Sequence, residues 1–551
     1  MKIHFYRTEF QIMVLVLPVM LLLASCQNNT KDIANSNQNV NLENAYTDYE
    51  GAMLYEFNMV KNPVTGTIPE GIYEAEREQA RAILANQQLN GIIALNTYSF
   101  QGPENLGGRT RTIAYDVRYN GTSNQVILAG GVSGGVYKST DNGATWVRKS
   151  PTGEHFSCTS LAQDTRVGFQ DTWYYGVGEA SGNSAGASGA FYSGNGVYKS
   201  TDNGETWTRL ASSNTSALET FSVAQDFINK VIVDPTDGNV YIACPATIRR
   251  SVDGGTTWTT VLSGTLASSG QFTDLAVTST GRLYAAFGGT NSATVDGVWA
   301  SPPGPTSGDL GAWTQIAGAG AGGSPAGWNA EGGYGRVVLG IAPSSENLVY
   351  ALYYTTGSPG CPGAAVEAEL FRWDDIGGTW TNLSATLPND AGCLAGNDPF
   401  AVQGGYDLVV AVKPDASGTV FIGGTNAYRS TDAGLTWTRI GGYASSANYA
   451  LYPASHPDIH SFTFQPGSPL IMLCGNDGGI QRTTDVTAGT VVWTQINIGY
   501  RTYQYYYVDV DPRLGNTKVI GGAQDNGSTR NIGGTGTSFE MAWGGDGVSV
   551  G

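Results

Sequence analysis

The segment Gly135-Val-Tyr-Lys-Ser-Thr-Asp-Asn-Gly-Ala-Thr-Trp146 recurs as Gly196-Val-Tyr-Lys-Ser-Thr-Asp-Asn-Gly-Glu-Thr-Trp207, with eleven of twelve positions identical. Its reduced form, Ser-x-Asp-x-Gly-x-x-Trp, is typical of a β-hairpin. The Ser and Asp side chains can bond turn amides, Gly supplies a positive φ, and Trp packs on the hairpin. The segment therefore predicts a strand, a tight turn and a second strand.

The hairpin pattern repeats along most of the chain. Further copies begin at Ser251 and Ser430, and weaker copies end at Trp313, Trp380 and Trp493. Successive Trp residues of the seven copies lie 61, 51, 55, 67, 57 and 56 positions apart. A period in the fifties, with each unit made of strands, predicts a β-propeller. We expect an all-β fold with a seven-bladed propeller over residues 98–500.

Composition agrees with many short strands and tight turns. Gly accounts for 76 of 551 residues, aromatic residues for 11% and charged residues for only 14%. This balance excludes a coiled coil and a disordered chain. The net charge of −17 and the absence of a basic stripe in the sequence argue against a nucleic-acid partner.

The N-terminus is typical of an export signal. An apolar run over 12–23 follows Lys2 and Arg7 and ends in Leu-Ala-Ser-Cys26, which resembles a bacterial lipobox. The resemblance implies a signal peptide over 1–25, lipidation of Cys26, and a polar tether over 26–50. An exported lipoprotein of the outer membrane is expected, on the cell surface or the periplasmic face. The alternative is an ordinary cleaved signal with an incidental Cys.

Two segments flank the predicted propeller. Residues 51–97 form a lead-in with a helix expected over 70–89, where an apolar face recurs. Residues 501–551 contain further strand patterns that either close the propeller or begin a second, truncated one. Cys361 and Cys393 lie in loops and are candidates for a disulfide in an oxidising compartment.

The repeats resemble the Asp-box (BNR) propellers, and the order GPENLGGRTR, HPDIHSF, GNDGGIQRTTD, GGAQDNGS resembles sortilin-like and glycosyl-hydrolase-like secreted lipoproteins of Bacteroidetes type. In Asp-box proteins the box joins the third and fourth strands of a blade. The resemblance therefore implies a structural role for four carboxylates: Asp141, Asp202, Asp253 and Asp432. A sialidase is disfavoured because its Phe/Tyr-Arg-Ile-Pro motif is missing and Arg109 and Arg111 replace its Arg trio poorly.

The carboxylates outside the repeats are candidates for chemistry. Asp477 and Asp546 each lie among Gly residues, and glycoside hydrolysis needs two carboxyls across the scissile bond. In the xyloglucan-cleaving family that the chain resembles, an Asp before Gly-Gly is catalytic and the two acids come from different propellers. The alternative is that both are turn residues, where Asp-Gly is common.

A second set of residues is a candidate for binding: Asp458, His460 and Asp525. His456 and His460 with Asp458 are either metal ligands or residues that fix a loop by hydrogen bonds; we expect no metal and no cofactor. Loop aromatics such as Tyr192 suit sugar stacking or blade packing. The sequence favours a lipid-anchored propeller that binds a glycan or polypeptide at the cell surface. The alternative is a glycoside hydrolase that uses paired Asp residues.

Overall fold

The structure is a computed structural model that describes residues 57–58, 61–69, 72–89, 99–151, 157–179, 192, 194–214, 223–264, 272–288, 295–318, 324–328, 334–355, 366–389, 400–445, 450–513, 515–534 and 536–547. The expected signal peptide, Cys26, the tether, and Cys361 and Cys393 lie outside these residues.

The chain divides into two compact units, Met1–Ile72 and Tyr73–Gly551. The helix α1 runs over Ile72–Leu89, where the sequence predicted a helix from residue 70. Within the described residues, no helix combines the length and apolar character needed to cross a membrane.

The rest of the described chain is built from eight four-stranded antiparallel sheets, each with its strands in chain order. Sheets 1 to 4 contain β1 (Thr110–Tyr115), β2 (Ile127–Gly131), β3 (Gly135–Ser139), β4 (Val147–Arg148); β5 (Ser160–Gln163), β6 (Trp173–Gly176), β7 (Val197–Ser200), β8 (Thr208–Leu210); β9 (Lys230–Val233), β10 (Val240–Cys244), β11 (Thr247–Ser251), β12 (Thr259–Ser263); β13 (Phe272–Val277), β14 (Leu283–Gly288), β15 (Gly297–Ala300) and β16 (Thr314–Gly318).

Sheets 5 to 8 contain β17 (Tyr334–Ile341), β18 (Leu348–Thr355), β19 (Ala368–Asp374), β20 (Thr379–Asn382); β21 (Val409–Lys413), β22 (Ala416–Gly423), β23 (Ala427–Ser430), β24 (Thr438–Gly441); β25 (Ile459–Gln465), β26 (Ser468–Asn476), β27 (Gly479–Thr483), β28 (Thr494–Gln495); β29 (Tyr507–Val510), β30 (Val519–Ala523), β31 (Gly527–Asn531) and β32 (Phe539–Trp543). The all-β prediction is confirmed.

The first strands of sheets 1 to 7 contact one another in chain order, and β25 of sheet 7 also contacts β1 of sheet 1. A cluster of buried apolar side chains lies between each neighbouring pair in this circuit. Between sheets 7 and 1, for example, Ile113 and Trp146 are grouped with Leu473 and Ile480. Burial of each large apolar side chain contributes about 1.5–3 kcal/mol, so these junctions supply the main stabilisation.

Second strands are covered on both faces because they lie inside each sheet and between neighbouring sheets. Every residue of β2, β10 and β14 is buried. Their sequences, such as VYIAC in β10, are the short continuous apolar runs expected of fully buried strands.

The repeated hairpin lies between the third and fourth strands of sheets 1 to 7. In the first copy, Asp141 accepts hydrogen bonds from the Ser139 hydroxyl at 2.7 Å, the Thr145 amide at 2.9 Å and the Thr145 hydroxyl at 2.6 Å. The same three bonds recur at Asp202, Asp253 and Asp432. These carboxylates accept their hydrogen bonds within their own turns, as expected for a structural role.

Sheet 8 differs from the other sheets in its exposure. All four residues of β29 are exposed, and in β32 only Phe539 is buried. Its turn residues reach sheet 7, since Asn526 Nδ2 donates to the Asp477 carbonyl at 3.0 Å. It also contacts the segment before β1, where Asn105 Nδ2 donates to the Phe539 carbonyl at 2.9 Å.

Candidate functional site

Asp477 lies at the junction of sheets 7 and 8. It is the first residue of the two-residue turn between β26 and β27, and the Gly478 amide donates to Asn476 Oδ1 at 3.0 Å. Gly479 follows with φ of 114°, a conformation that side chains rarely adopt. This turn points the Asp477 carboxylate inward, where its side chain is 1% exposed.

Three donors hold the Asp477 carboxylate. His460 Nε2 and Arg109 Nε donate to Oδ1 at 2.6 and 3.4 Å, and the Tyr406 hydroxyl donates to Oδ2 at 2.7 Å. Burial alone would raise the pKa of Asp477, but the Arg109 charge and the bonds from His460 and Tyr406 outweigh it and hold the pKa well below its usual range. Asp477 is therefore a fixed, ionised carboxylate.

His460 is a neutral donor in this network. Burial and the neighbouring Arg111 charge lower the pKa of His460 to about 3. Its Nδ1 lies 2.6 Å from Arg111 NH1, so Nδ1 accepts and the ring proton belongs to Nε2, facing Asp477. The contact between His460 and Asp477 is a hydrogen bond, because the imidazole carries no charge.

Two Arg side chains stack on the Tyr406 ring, at 4.9 Å for Arg109 and 4.7 Å for Arg111. Arg111 pairs with Glu179 at 2.8 and 3.2 Å and donates to the Tyr406 carbonyl at 3.0 Å. Arg109 instead extends from Asp477 toward Asp525, with NH2 3.6 Å from Asp525 Oδ2. Both guanidinium groups therefore share the Tyr406 ring, but Arg111 is paired with Glu179 whereas Arg109 contacts Asp477 and Asp525.

Three further carboxyls surround Asp477. Asp525, in the β30–β31 turn, has its pKa raised to about 9 by burial and by the Asp477 charge. Asp407 and Asp458 are buried, and burial together with the neighbouring carboxylates raises the pKa of each well above its usual range. One oxygen each from Asp458, Asp477 and Asp525 lies within 4.8 Å of the others.

The structure places the sequence-predicted residues around Asp525. Asp546 is exposed, and its Oδ1 accepts a hydrogen bond from the Asp525 amide at 2.9 Å. His456 Nε2 lies 2.8 Å from the Asp525 carbonyl oxygen. Asp477 and Asp546 thus both adjoin Asp525, whereas no hydrogen bond between their side chains occurs among the described residues.

Two pockets meet at Asp525. The first, of about 280 Å³, is lined by Asp477, Asp525 and Arg109 together with aromatic and amide side chains: Tyr192, Gln504, Tyr505, Tyr506, Gln524 and Asn526. The second, of about 500 Å³, is lined by Asp458, Asp525 and Asp546 and by Gln403, Tyr443, His456 and Met541. Both open at the junction between sheets 7 and 8.

Sequence reasoning missed Tyr406 and Asp407 and treated Arg109 only as a poor sialidase residue. Tyr406 is 71 positions from Asp477 and Arg109 is 368 positions away, so no local pattern joins them. The single available signal was Gly404-Gly405-Tyr406-Asp407, another Gly-flanked acid before a strand. Of the loop aromatics, Tyr192 lines the first pocket, whereas Tyr175 and Trp328 are buried among other rings.

No known family profile matches the chain. The xyloglucanase of Hypocrea jecorina is 26% identical to it over 332 residues, which are 58% of this chain and 30% of that enzyme. The chain therefore spans less than a third of the curated relative that it matches.

Solved structures of GH74 enzymes resemble the fold. The GH74 xyloglucanase of Xanthomonas campestris has a TM-score of 0.52 at 16% identity, over 79% of this chain and 60% of that one. The Niastella koreensis GH74 enzyme gives 0.52 at 16%, over 80% and 61%, and an ancestral GH74 enzyme gives 0.54 at 15%, over 80% and 56%. At such identities the likeness is one of fold, and this chain is an all-β protein with the sheets of a propeller.

Proposed function

We propose that the protein binds a glycan chain in the first pocket at the junction of sheets 7 and 8. The observation that carries the proposal is the lining of that pocket, where Tyr192, Tyr505 and Tyr506 stand beside side-chain amides and Arg109. Aromatic faces pack against the apolar faces of sugar rings, and amides and guanidinium groups bond their hydroxyls. The similarity to a xyloglucanase makes a plant polysaccharide the first ligand to test.

The aromatic side chains of the pocket are held in place before a ligand arrives. The Tyr506 hydroxyl donates to Gln524 Oε1 at 2.6 Å, and Gln504 Nε2 donates to the Tyr192 hydroxyl at 3.1 Å. Tyr505 shares a 2.6 Å hydrogen bond with Thr529. Such preorganisation lowers the entropy cost of binding.

The surroundings of Asp477 suit glycan binding better than glycoside hydrolysis with Asp477 as a catalytic residue. Glycosidases place their two carboxyls about 5–5.5 Å apart or about 6.5–9.5 Å apart. Both oxygens of Asp477 already accept hydrogen bonds from buried side chains, which leaves this carboxylate poorly placed to take up or deliver a proton. The hydrolase alternative pairs Asp477 with Asp546; Asp546 lines the second pocket together with Asp525.

The architecture that we propose is a seven-bladed propeller made of sheets 1 to 7, with sheet 8 outside the circuit. Support comes from the contacts between β25 and β1 and from the apolar cluster at that junction. The lipobox-like sequence at Cys26 supports an exported, lipid-anchored protein on the outer membrane.

Affinity electrophoresis of residues 27–551 in gels containing xyloglucan and other plant and algal polysaccharides tests the proposal. Retention by one polysaccharide is expected, and Tyr506→Ala should weaken it by about tenfold or more. Tyr507→Ala is the matched control, because Tyr507 is the next residue, is equally exposed and does not line the pocket.

Three results would contradict glycan binding without hydrolysis. Retention by none of the polysaccharides would point to a polypeptide ligand, and equal retention of both Tyr variants would move the site elsewhere. Release of reducing sugar that disappears in Asp546→Asn would establish the hydrolase instead.

A further inference from the structure

The junction of sheets 7 and 8 concentrates carboxyl oxygens from separate turns. Asp458 precedes β25, Asp477 lies between β26 and β27, and Asp525 lies between β30 and β31. One oxygen of each lies within 4.8 Å of the other two. Since Ca²⁺–oxygen distances are about 2.3–2.6 Å, two oxygens on one ion are at most about 4.6–5.2 Å apart. The 4.8 Å bound on the three oxygens falls within this range.

Independently, buried acceptors at this junction have no donor within the described part of the chain. No N–H or hydroxyl donor reaches Asp458 Oδ1 or Asp407 Oδ1 there, and the two carboxyls are hydrogen-bonded to each other. Asp458 is 6% exposed and Asp407 is fully buried. The carboxyl groups of Asp407 and Asp458 face each other. Gln403 Oε1, on the wall of the second pocket, is a third such acceptor. Buried oxygens are normally paired, so these require either a shared proton or a bound cation.

The charged groups at this junction also favour a bound cation. Four carboxyls, Asp407, Asp458, Asp477 and Asp525, lie at the junction. The guanidinium of Arg109 contacts two of them. Arg111 is paired with Glu179, and Arg336 donates to the Gly405 and Tyr406 carbonyls. Four carboxyls so close together, three of them buried, are costly unless protons or a further cation offset their charge.

We propose that Asp458, Asp477 and Asp525 bind a divalent cation, with Ca²⁺ the preferred ion. The donors are all oxygen, which excludes the softer metals as first choice, and Ca²⁺ tolerates the irregular geometry of ligands from three turns better than Mg²⁺ does. The two pockets that meet at Asp525 give the ion a path from solvent. The ion joins a turn of sheet 8 to sheet 7, and thereby fixes the walls of the first pocket.

Isothermal titration calorimetry of the chelator-treated protein with CaCl₂ alone tests this site. One Ca²⁺ per chain is expected, and Ca²⁺ should raise the thermal midpoint above that in NaCl of equal ionic strength. Asp458→Asn should weaken binding by roughly tenfold or more. Asn also suits the backbone there, since Asp458 has φ of 63° and Asn tolerates this region well.

Asp509→Asn is the matched control, because it removes one exposed carboxylate of sheet 8 that lies away from the junction. The proposal is overturned if wild-type protein gives no saturable heat with CaCl₂, which would mean that protons satisfy the carboxyls. It is also overturned if both variants lose binding equally. These measurements use no glycan, so their failure leaves the glycan-binding proposal intact.

Discussion

Replacing Tyr406 with Phe removes one hydroxyl from the centre of the site. The hydroxyl donates to Asp477 Oδ2 at 2.7 Å, and Tyr406 is 1% exposed. The ring that carries the Arg109 and Arg111 guanidinium groups remains in the variant. The change therefore isolates one hydrogen bond to a buried carboxylate.

The free energy lost with this hydrogen bond depends on the charge of its acceptor. A hydrogen bond to a charged group contributes about 1.5–3 kcal/mol, whereas one between neutral groups contributes about 0.5–1.5 kcal/mol. Tyr137→Phe is the matched control, because the Tyr137 hydroxyl donates to the neutral Arg501 carbonyl at 2.8 Å and Tyr137 is 2% exposed. A change of about 1.4 kcal/mol corresponds to a factor of ten. The protection of nearby amides against hydrogen exchange should therefore fall roughly 10- to 150-fold for Tyr406→Phe and about 2- to 10-fold for Tyr137→Phe.

Hydrogen exchange resolved at single amides measures both effects. The Ile480 amide, which donates to Asn497 Oδ1 at 2.8 Å beside the Asp477 turn, reports on Tyr406→Phe. The Thr502 amide, which donates to the Tyr500 carbonyl at 2.9 Å, reports on Tyr137→Phe. If Tyr406→Phe lowered protection no more than the control does, Asp477 would not be the ionised centre of the network.

Three further outcomes are expected. Asp141→Ala should lower the free energy of unfolding by about 1–2 kcal/mol in urea titrations, because three hydrogen bonds are lost, and Asp141→Asn should lower it less because one acceptor remains. Hydrogen bonds from Thr436 lower the pKa of Asp432 to about 2. The stability that Asp432 contributes is therefore present above pH ~4 and is lost as the pH falls through about 2. Over that range, the thermal midpoint of Asp432→Asn should vary less than that of the wild type. Burial raises the pKa of Cys244 to about 12, so its thiol should resist a disulfide reagent in the native protein and react only after denaturation; rapid native labelling would contradict this.

The repeating part of the fold was predictable because its signal is local. In Gly135–Trp146 the turn, the capping carboxylate and the packing Trp lie within twelve residues, and the structure gives a hairpin there. The strands of sheet 8 were also visible as apolar runs near residues 507 and 519. The sequence left open whether they close the propeller, because closure depends on which strand contacts β1, and no local pattern specifies that.

The site was predictable only in part. Asp458 and Asp477 stood out because Pro457 and Gly478 adjoin them, and Asp525 because it lies in the turn-forming run Gln-Asp-Asn-Gly; such turns place carboxyls at strand ends. Pairing Asp477 with Asp546 relied on their Gly neighbours and on a family resemblance; in the structure both residues adjoin Asp525. Gly404-Gly405-Tyr406-Asp407 marked a turn before a strand, but the contact of Tyr406 with Asp477 arises from a long-range approach of sheets 6 and 7.

The contact of β1 with β25 also has a consequence for biosynthesis. Thr463 Oγ1 donates to the Ile113 carbonyl at 2.8 Å and Trp146 Nε1 donates to the Ile496 carbonyl at 2.7 Å, each across 350 positions of sequence. A ribosome that adds about 5–20 residues per second needs roughly 20–70 s to make that interval. Throughout that delay the apolar edge of sheet 1 has no partner. The nascent chain must therefore be shielded from aggregation until its seventh sheet emerges.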